Sequence, residues 1–207
     1  MHISDGILPV PVILGGGIMA AGLLAAAMRK TEQEDIPRIS ALGAAFFVSS
    51  LLHVRIGPSS AHLSLIGLIG ILLGRRSVLA IIAGLFFQAL MFQHGGILAL
   101  GVNTVIMAVP ALIASLLFRA IAGRCRGVVI VCVTAGLASG AAVLCAALLS
   151  FASLLSSGEQ FRTVALVFSV ADSMIALGEG VITAIVVGRL LKAHPEMLPC
   201  AHAGSFE

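Results

Sequence analysis

The feature that most limits this chain is its alternation of long apolar runs with short loops that carry nearly all of its few charges. Seven apolar segments stand out, at roughly 8–28, 39–53, 62–74, 77–93, 98–118, 128–155 and 164–191. A straight crossing of a bilayer needs about 20 apolar residues. The third segment is too short for that, and it opens on small polar residues, GPSSAHLSLIG. It reads as partly irregular or re-entrant. Non-helical backbone at membrane depth is tolerated where it is buried in protein or lines a cavity, so this stretch is a place to look for a site. The sixth and seventh segments are longer than a crossing needs and are expected to tilt or to extend past the lipid. Composition agrees: 59% of the 207 residues are hydrophobic and 10% charged, against about 45–50% and about 25% in soluble domains. No polar stretch is long enough for a second, soluble domain. The expected fold is an all-α integral membrane protein of about seven transmembrane helices, with a single transmembrane domain over 1–192 and a tail over 193–207.

Charge placement assigns the sides. With the N-terminus outside, the inside loops are 29–38, 75–77, 119–127 and the tail from 189. They hold Arg29, Lys30, Arg38, Arg75, Arg76, Arg119, Arg124, Arg126, Arg189 and Lys192, ten of the 12 basic residues. Only Arg55 and Arg162 fall outside. The excess of Lys and Arg in cytoplasmic loops predicts an outside N-terminus and a cytoplasmic C-terminus, in the cell inner (cytoplasmic) membrane. Nothing positive precedes the first apolar run, and Arg29 and Lys30 follow it. That order argues against a cleaved signal peptide.

Several classes are disfavoured. There is no GxxxxGK[ST] phosphate loop, so any ATP hydrolysis belongs to another subunit. No inverted repeat of the secondary-transporter type is visible. Cys125, Cys132, Cys145 and Cys200 form no CxxC pair and read as small apolar filler.

Four of the six histidines, His2, His53, His62 and His94, fall at or near the outer face. Four imidazoles at one face of so apolar a chain suggest a metal site. His194 and His202 lie in the inside tail, which is expected to be disordered. The opening MHISDG offers three nitrogens in sequence: the Met1 α-amine, the His2 amide and the His2 imidazole. Amine and amide close a five-membered chelate ring, and amide and Nδ1 a six-membered one. Together they fill three corners of a square, and one further imidazole completes it. Square nitrogen coordination suits Ni(II) or Cu(II), and Co(II) also adopts it. A bulky second residue should keep Met1 in the mature chain.

Other polar groups invite a role. Asn103, in LGVNT past the HGG turn, offers a hydrogen bond that orients a ligand or a cap for the fifth helix. Asp172 and Glu179, at i, i+7, share one face of the seventh helix. Intramembrane carboxylates are functional candidates by default, paired with Arg or His or placed on a release path. Arg55 would repel an outer cation, so it is expected to point away or to pair with Asp5 or Glu159. Small residues in GGGIMAAGLLAAAM stripe the first helix for close packing, within the chain or against a partner membrane subunit.

MHISDG with GILP, GPSSAHLSLIGLIGILLG, HGGILALGVNT and GEGVITAIVVG together resemble the CbiM/NikM family over nearly the whole chain. These are the substrate-capture (S) components of energy-coupling-factor cobalt and nickel importers. The resemblance implies Met1, His2 and His62 as metal ligands, with His94, Asn103 and His53 as supporting residues. The family commonly writes the His62 block as C-S-H-P-T-G; here it reads SAHLSL. The resemblance also implies a membrane coupling (T) subunit, two ATPase subunits and a small two-span accessory membrane protein. Co2+ or Ni2+ is then the transported substrate, for cobalamin synthesis or a nickel enzyme, and no permanent cofactor is implied. The alternative is a self-sufficient, proton-coupled secondary carrier using Asp172 and Glu179. An intramembrane metalloenzyme is disfavoured by the lack of HExxH.

Overall fold

The computed structural model of the chain describes residues 2–29, 31–51, 53–56, 59–122 and 127–199, with only the backbone described at 53–56 and 59–61. The apolar runs fold as α1 (Val10–Met28), α2 (Ile36–Ser49), α3 (Ile66–Leu73), α4 (Ser77–Phe92), α5 (Leu100–Ala122), α6 (Val128–Leu155) and α7 (Arg162–Ala193). Pro11 and Pro37 stand in the first turns of α1 and α2, where a missing N–H leaves no bond unmade. Five segments are long and apolar enough to cross a bilayer: Val10–Met28, Ile66–Phe92, Leu100–Ala122, Val128–Leu155 and Glu159–Ala193. The second of these is α3 and α4 joined by a 3-10 turn, Gly74–Arg76. The all-α membrane architecture therefore holds. α2, at 14 residues, is shorter than the about 20 that a straight crossing needs. α1 buries only Ala20 and Ala27 and turns Val10, Leu14 and Ile18 outward. A helix apolar all round and exposed is solvated by lipid.

The short third helix sits at the centre. All eight residues of α3 are buried. A Cβ built on Gly67 would lie 2.3 Å from Ser139 Cα, and one on Gly70 would lie 2.0 Å from the Ala111 carbonyl oxygen. Only glycine lets α3 wedge so closely between α6 and α5. Gly74, at φ 59°, then turns the chain into α4. α4 runs beside α2, with Gly84 against Phe46 and Gly43 against Ala80. α6 and α7 pack antiparallel through Gly136 and Gly180, where each missing Cβ leaves room for the opposite carbonyl.

Where an irregular or re-entrant stretch was expected before the third helix, the structure has a small sheet. β1 (His2–Ile3), β2 (His53–Ile56) and β3 (Ser59–His62) form an antiparallel sheet in the order β1-β3-β2. The second apolar segment thus stops being helical at Ser49, not at 53, and helix α3 begins at Ile66, not at 62. Strand pairing satisfies backbone groups that would be costly to leave unpaired away from water. The described part of the tail, 194–199, departs from expected disorder as well. Pro195–Met197 form a 3-10 turn, Leu198 is buried, and the Met197 carbonyl accepts from Arg38. Arg38 also donates to the Leu72 carbonyl at 3.0 Å, and Asp35 pairs with Arg76 at 2.5 Å. One end of the bundle is basic, and the other carries His2 and His62.

Candidate metal site

The sheet register builds the site. His2 pairs with Ser60 across β1 and β3, and His62 lies two residues further along β3. Residues diagonal by two share a sheet face, so the two rings meet. Their centroids are 4.6 Å apart, and His62 Nε2 lies 2.8 Å from His2 Nδ1. Both side chains are buried, each 3% exposed.

The outer partners of the two rings fix their tautomers. His2 Nε2–H donates to Gln88 Oε1 at 2.6 Å, from α4. The Gln88 amide is itself oriented: its Nε2 donates to Ser50 Oγ at 2.7 Å, and Ser50 Oγ–H donates to the Phe47 carbonyl at 2.6 Å. His62 Nδ1–H donates to the Leu63 carbonyl at 3.0 Å. With both outer nitrogens protonated, His2 Nδ1 and His62 Nε2 face each other as lone pairs. Two lone pairs at that distance repel unless a cation lies between them. His62 is in β3, outside the helices long enough to cross, and burial holds its imidazole well below the usual histidine range. It is therefore in the neutral form that binds metal.

The start of the chain is pinned around these rings. Asn103 accepts the Ile3 N–H at 2.9 Å and returns its own Nδ2–H to the Ile3 carbonyl at 3.0 Å. Asn103 thus belongs to the strand beside the site and is no cap for α5. Asp5 accepts the Ala99 N–H at 2.8 Å and the Leu98 N–H at 3.3 Å, placing a negative charge at the N-terminus of α5. Its carboxylate is thereby turned to α5. Gly95, at φ 81°, closes over the site: a Cβ there would be 2.9 Å from Asn103 Nδ2 and 3.4 Å from His2 Cδ2.

The sequence profile of the family described as "CbiM: Cobalt uptake substrate-specific transmembrane region" matches residues 2–197. The chain belongs to this family. A putative metal transport protein of Haemophilus influenzae is 33% identical over 202 residues, 96% of this chain and 97% of the relative. The cobalt transport protein CbiM of Thermosediminibacter oceani is 34% identical over 209 residues, 94% of this chain and 85% of the relative. A solved structure of a truncated transition metal transporter superposes with a TM-score of 0.70 at 24% identity, covering 95% of this chain and 99% of that one. The CbiM family is a transport family and not an enzyme family.

Against the CbiM-family block C-S-H-P-T-G, Leu65 stands in the place of the glycine, and its φ of 54° is in the left-handed region that glycine favours. Glu179 braces this loop. Its Oε1 accepts the Ser64 N–H, the Ser64 hydroxyl at 2.6 Å and the Leu65 N–H at 2.9 Å. Asp172, on the same face of α7, is fully buried, and neither of its carboxylate oxygens has a hydrogen-bond partner among the described residues. Of the two roles open to these carboxylates, pairing with Arg or His and a place on a release path, the described residues show no pairing with Arg or His. Glu159, a suggested partner for Arg55, lies 4.0 Å from Arg162.

Of the remaining expected residues, Met1 and the side chains of His53 and Arg55 lie outside the described residues. The His53 backbone pairs with His62 across β2 and β3. His94 is half-buried, its ring 6.3 Å from that of Phe92. No group of three or more His, Cys, Asp or Glu side chains gathers among the described residues. Gln88 is the residue that the sequence reading missed. A lone amide in SVLAIIAGLFFQALMF is the signal, because a buried polar group in an apolar helix needs a partner.

Proposed function

We propose that this chain captures Co2+ or Ni2+ at the outer face of the membrane. The metal would be held by the Met1 amine, the His2 amide, His2 Nδ1 and His62 Nε2. The observation that carries this reading is the 2.8 Å between the two facing lone-pair nitrogens. With metal–nitrogen bonds of about 2.0 Å, adjacent corners of a square lie about 2.8 Å apart and opposite corners about 4.0 Å. In the chelate order amine, amide, imidazole, the fourth ligand lies opposite the amide and next to His2 Nδ1. His62 Nε2 stands at that adjacent spacing. Gln88 and the Leu63 carbonyl serve as the outer partners that metal-bound histidines ordinarily have.

In this reading the chain is the S component of an energy-coupling-factor importer in the cell inner membrane. A T subunit, two ATPase subunits and a small two-span accessory protein complete the system. His94, Asn103 and His53 shape the site without supplying the square's corners.

The test is metal uptake by cells producing the chain with its coupling and ATPase subunits. The native N-terminus is compared with one carrying a glycine inserted after the initiator, with cobalt and nickel offered separately. The insertion displaces the amine and moves His2 to position 3. Lost uptake at equal membrane abundance is expected, and the metal that loses it is the substrate. Unchanged uptake would remove the N-terminal chelate. Cells lacking the ATPases test the secondary-carrier reading, which requires undiminished uptake there.

A further inference from the structure

At the end of the bundle opposite the histidines, the Gly74–Arg76 turn and the last three turns of α5 line a cleft of about 500 Å³. Its walls differ in kind. Arg75, Arg76 and Arg119 supply positive charge, and Leu112 and Leu116 supply apolar surface. Arg76 is engaged by Asp35 at 2.5 Å. Arg119 makes no ion pair among the described residues. Its guanidinium lies over the bare backbone of Gly74, where a Cβ would be 2.7 Å from Nη2.

The spacing of Leu112, Leu116 and Arg119 puts them on one face of α5, apolar first and charged last. Leu116 is 68% exposed, and Ile113 and Leu117 beside it are also exposed. An apolar track therefore leads along the helix into a basic pocket. A soluble anion would leave the leucines uncovered, and an uncharged lipid would leave the guanidinium unanswered. An amphiphile with an anionic end satisfies both. Basic pockets between helices at the cytoplasmic side are suited to anionic headgroups, and guanidinium binds phosphate oxygens through paired N–H donors.

We infer that this cleft binds an anionic phospholipid, with its phosphodiester at Arg119 and Arg75 and its acyl chains along Leu112 and Leu116. The site is independent of the metal reading.

Native mass spectrometry of the purified full chain in mild detergent tests it. The probes are phosphatidylglycerol, phosphatidylcholine of the same acyl chains, and inorganic phosphate. Phosphatidylglycerol is expected to bind more tightly than phosphatidylcholine, with Arg119→Gln lowering its affinity about fivefold. Arg189→Gln, an equal charge change outside the cleft, is expected to leave that affinity unchanged. Equal losses in the two variants would mean diffuse surface charge and overturn the site. Equal binding of the two lipids would overturn it too, as would displacement of phosphatidylglycerol by an equal concentration of phosphate. If Arg119→Gln does not fold, Arg119→Lys is read in its place, because it keeps the charge and loses the guanidinium fork. Reduced phosphatidylglycerol binding then supports the site, and unchanged binding overturns it.

Discussion

Glu179 holds Ser64 from across the bundle, its Oε1 accepting the Ser64 hydroxyl at 2.6 Å, 115 residues away in sequence and two residues beyond His62. The same oxygen takes the Leu65 N–H at the start of α3. The position of α7 therefore sets the position of the His62 loop. Glu179→Ala would leave the buried Ser64 N–H and the part-buried Leu65 N–H without this acceptor, a loss of about 1–3 kcal/mol for a fully buried group so stranded. Thermal unfolding in detergent should show a lower midpoint, with Glu179→Gln, which keeps an acceptor oxygen, losing less.

Gln88→Leu removes the acceptor that keeps the proton on His2 Nε2. The ring is then free to place its proton on Nδ1, the nitrogen wanted for the metal. Loss of such an outer partner typically lowers metal affinity about 10–100-fold. Calorimetric titration of the purified chain should show that loss.

Gly95→Ala should damage the site by two routes. Its φ of 81° is unfavourable for a side chain, and the new methyl would fall 2.9 Å from Asn103 Nδ2. That pushes on the residue that grips Ile3. Weaker metal binding is expected, and a native-like helical circular dichroism spectrum would localise the fault to this end of the bundle.

Metal affinity should fall in acid, because the ligands must shed protons. The sign follows group by group. His62 is held below the usual histidine range, so it stays neutral through the window and contributes no loss there. The α-amine, ordinarily titrating at about 7.7–8.0, is protonated below that range, and the amide proton is displaced by metal at every pH. Apparent affinity should therefore drop about tenfold per pH unit above the amine's range, from one proton, and more steeply below it. Competition titrations between pH 6 and pH 9 measure both slopes. A flat profile would exclude main-chain and amine ligands.

The helices were legible because each apolar run is long and is closed by charge. α4 and α7 begin and end within two residues of their expected bounds. The sheet was not legible. β1 has two residues, too few to show any alternation, and its partner β3 lies 57 positions downstream. α2 looked longer than it is because Leu51 and Leu52 continue its apolar run while the helix stops at Ser49. Of the site, His2 and His62 were visible through their chemistry and their resemblance to a family motif. Gln88 was not, since a single amide carries no spacing pattern. The role of Glu179 was hidden for the same reason: nothing in GEG says that its partners are main-chain N–H groups beside a histidine.

The pinning of Ile3 by Asn103 has a consequence for how the protein is made. Ile3 cannot take its final place until a hundred more residues have followed it. His2 waits on β3 and then on α4, and Ile3 waits on α5. The proposed site is thus ordered only after segments far along the chain have been made. With the square as proposed, a half-inserted chain would have no assembled site with which to sequester a scarce ion, and metal binding would itself report that assembly of these elements is complete.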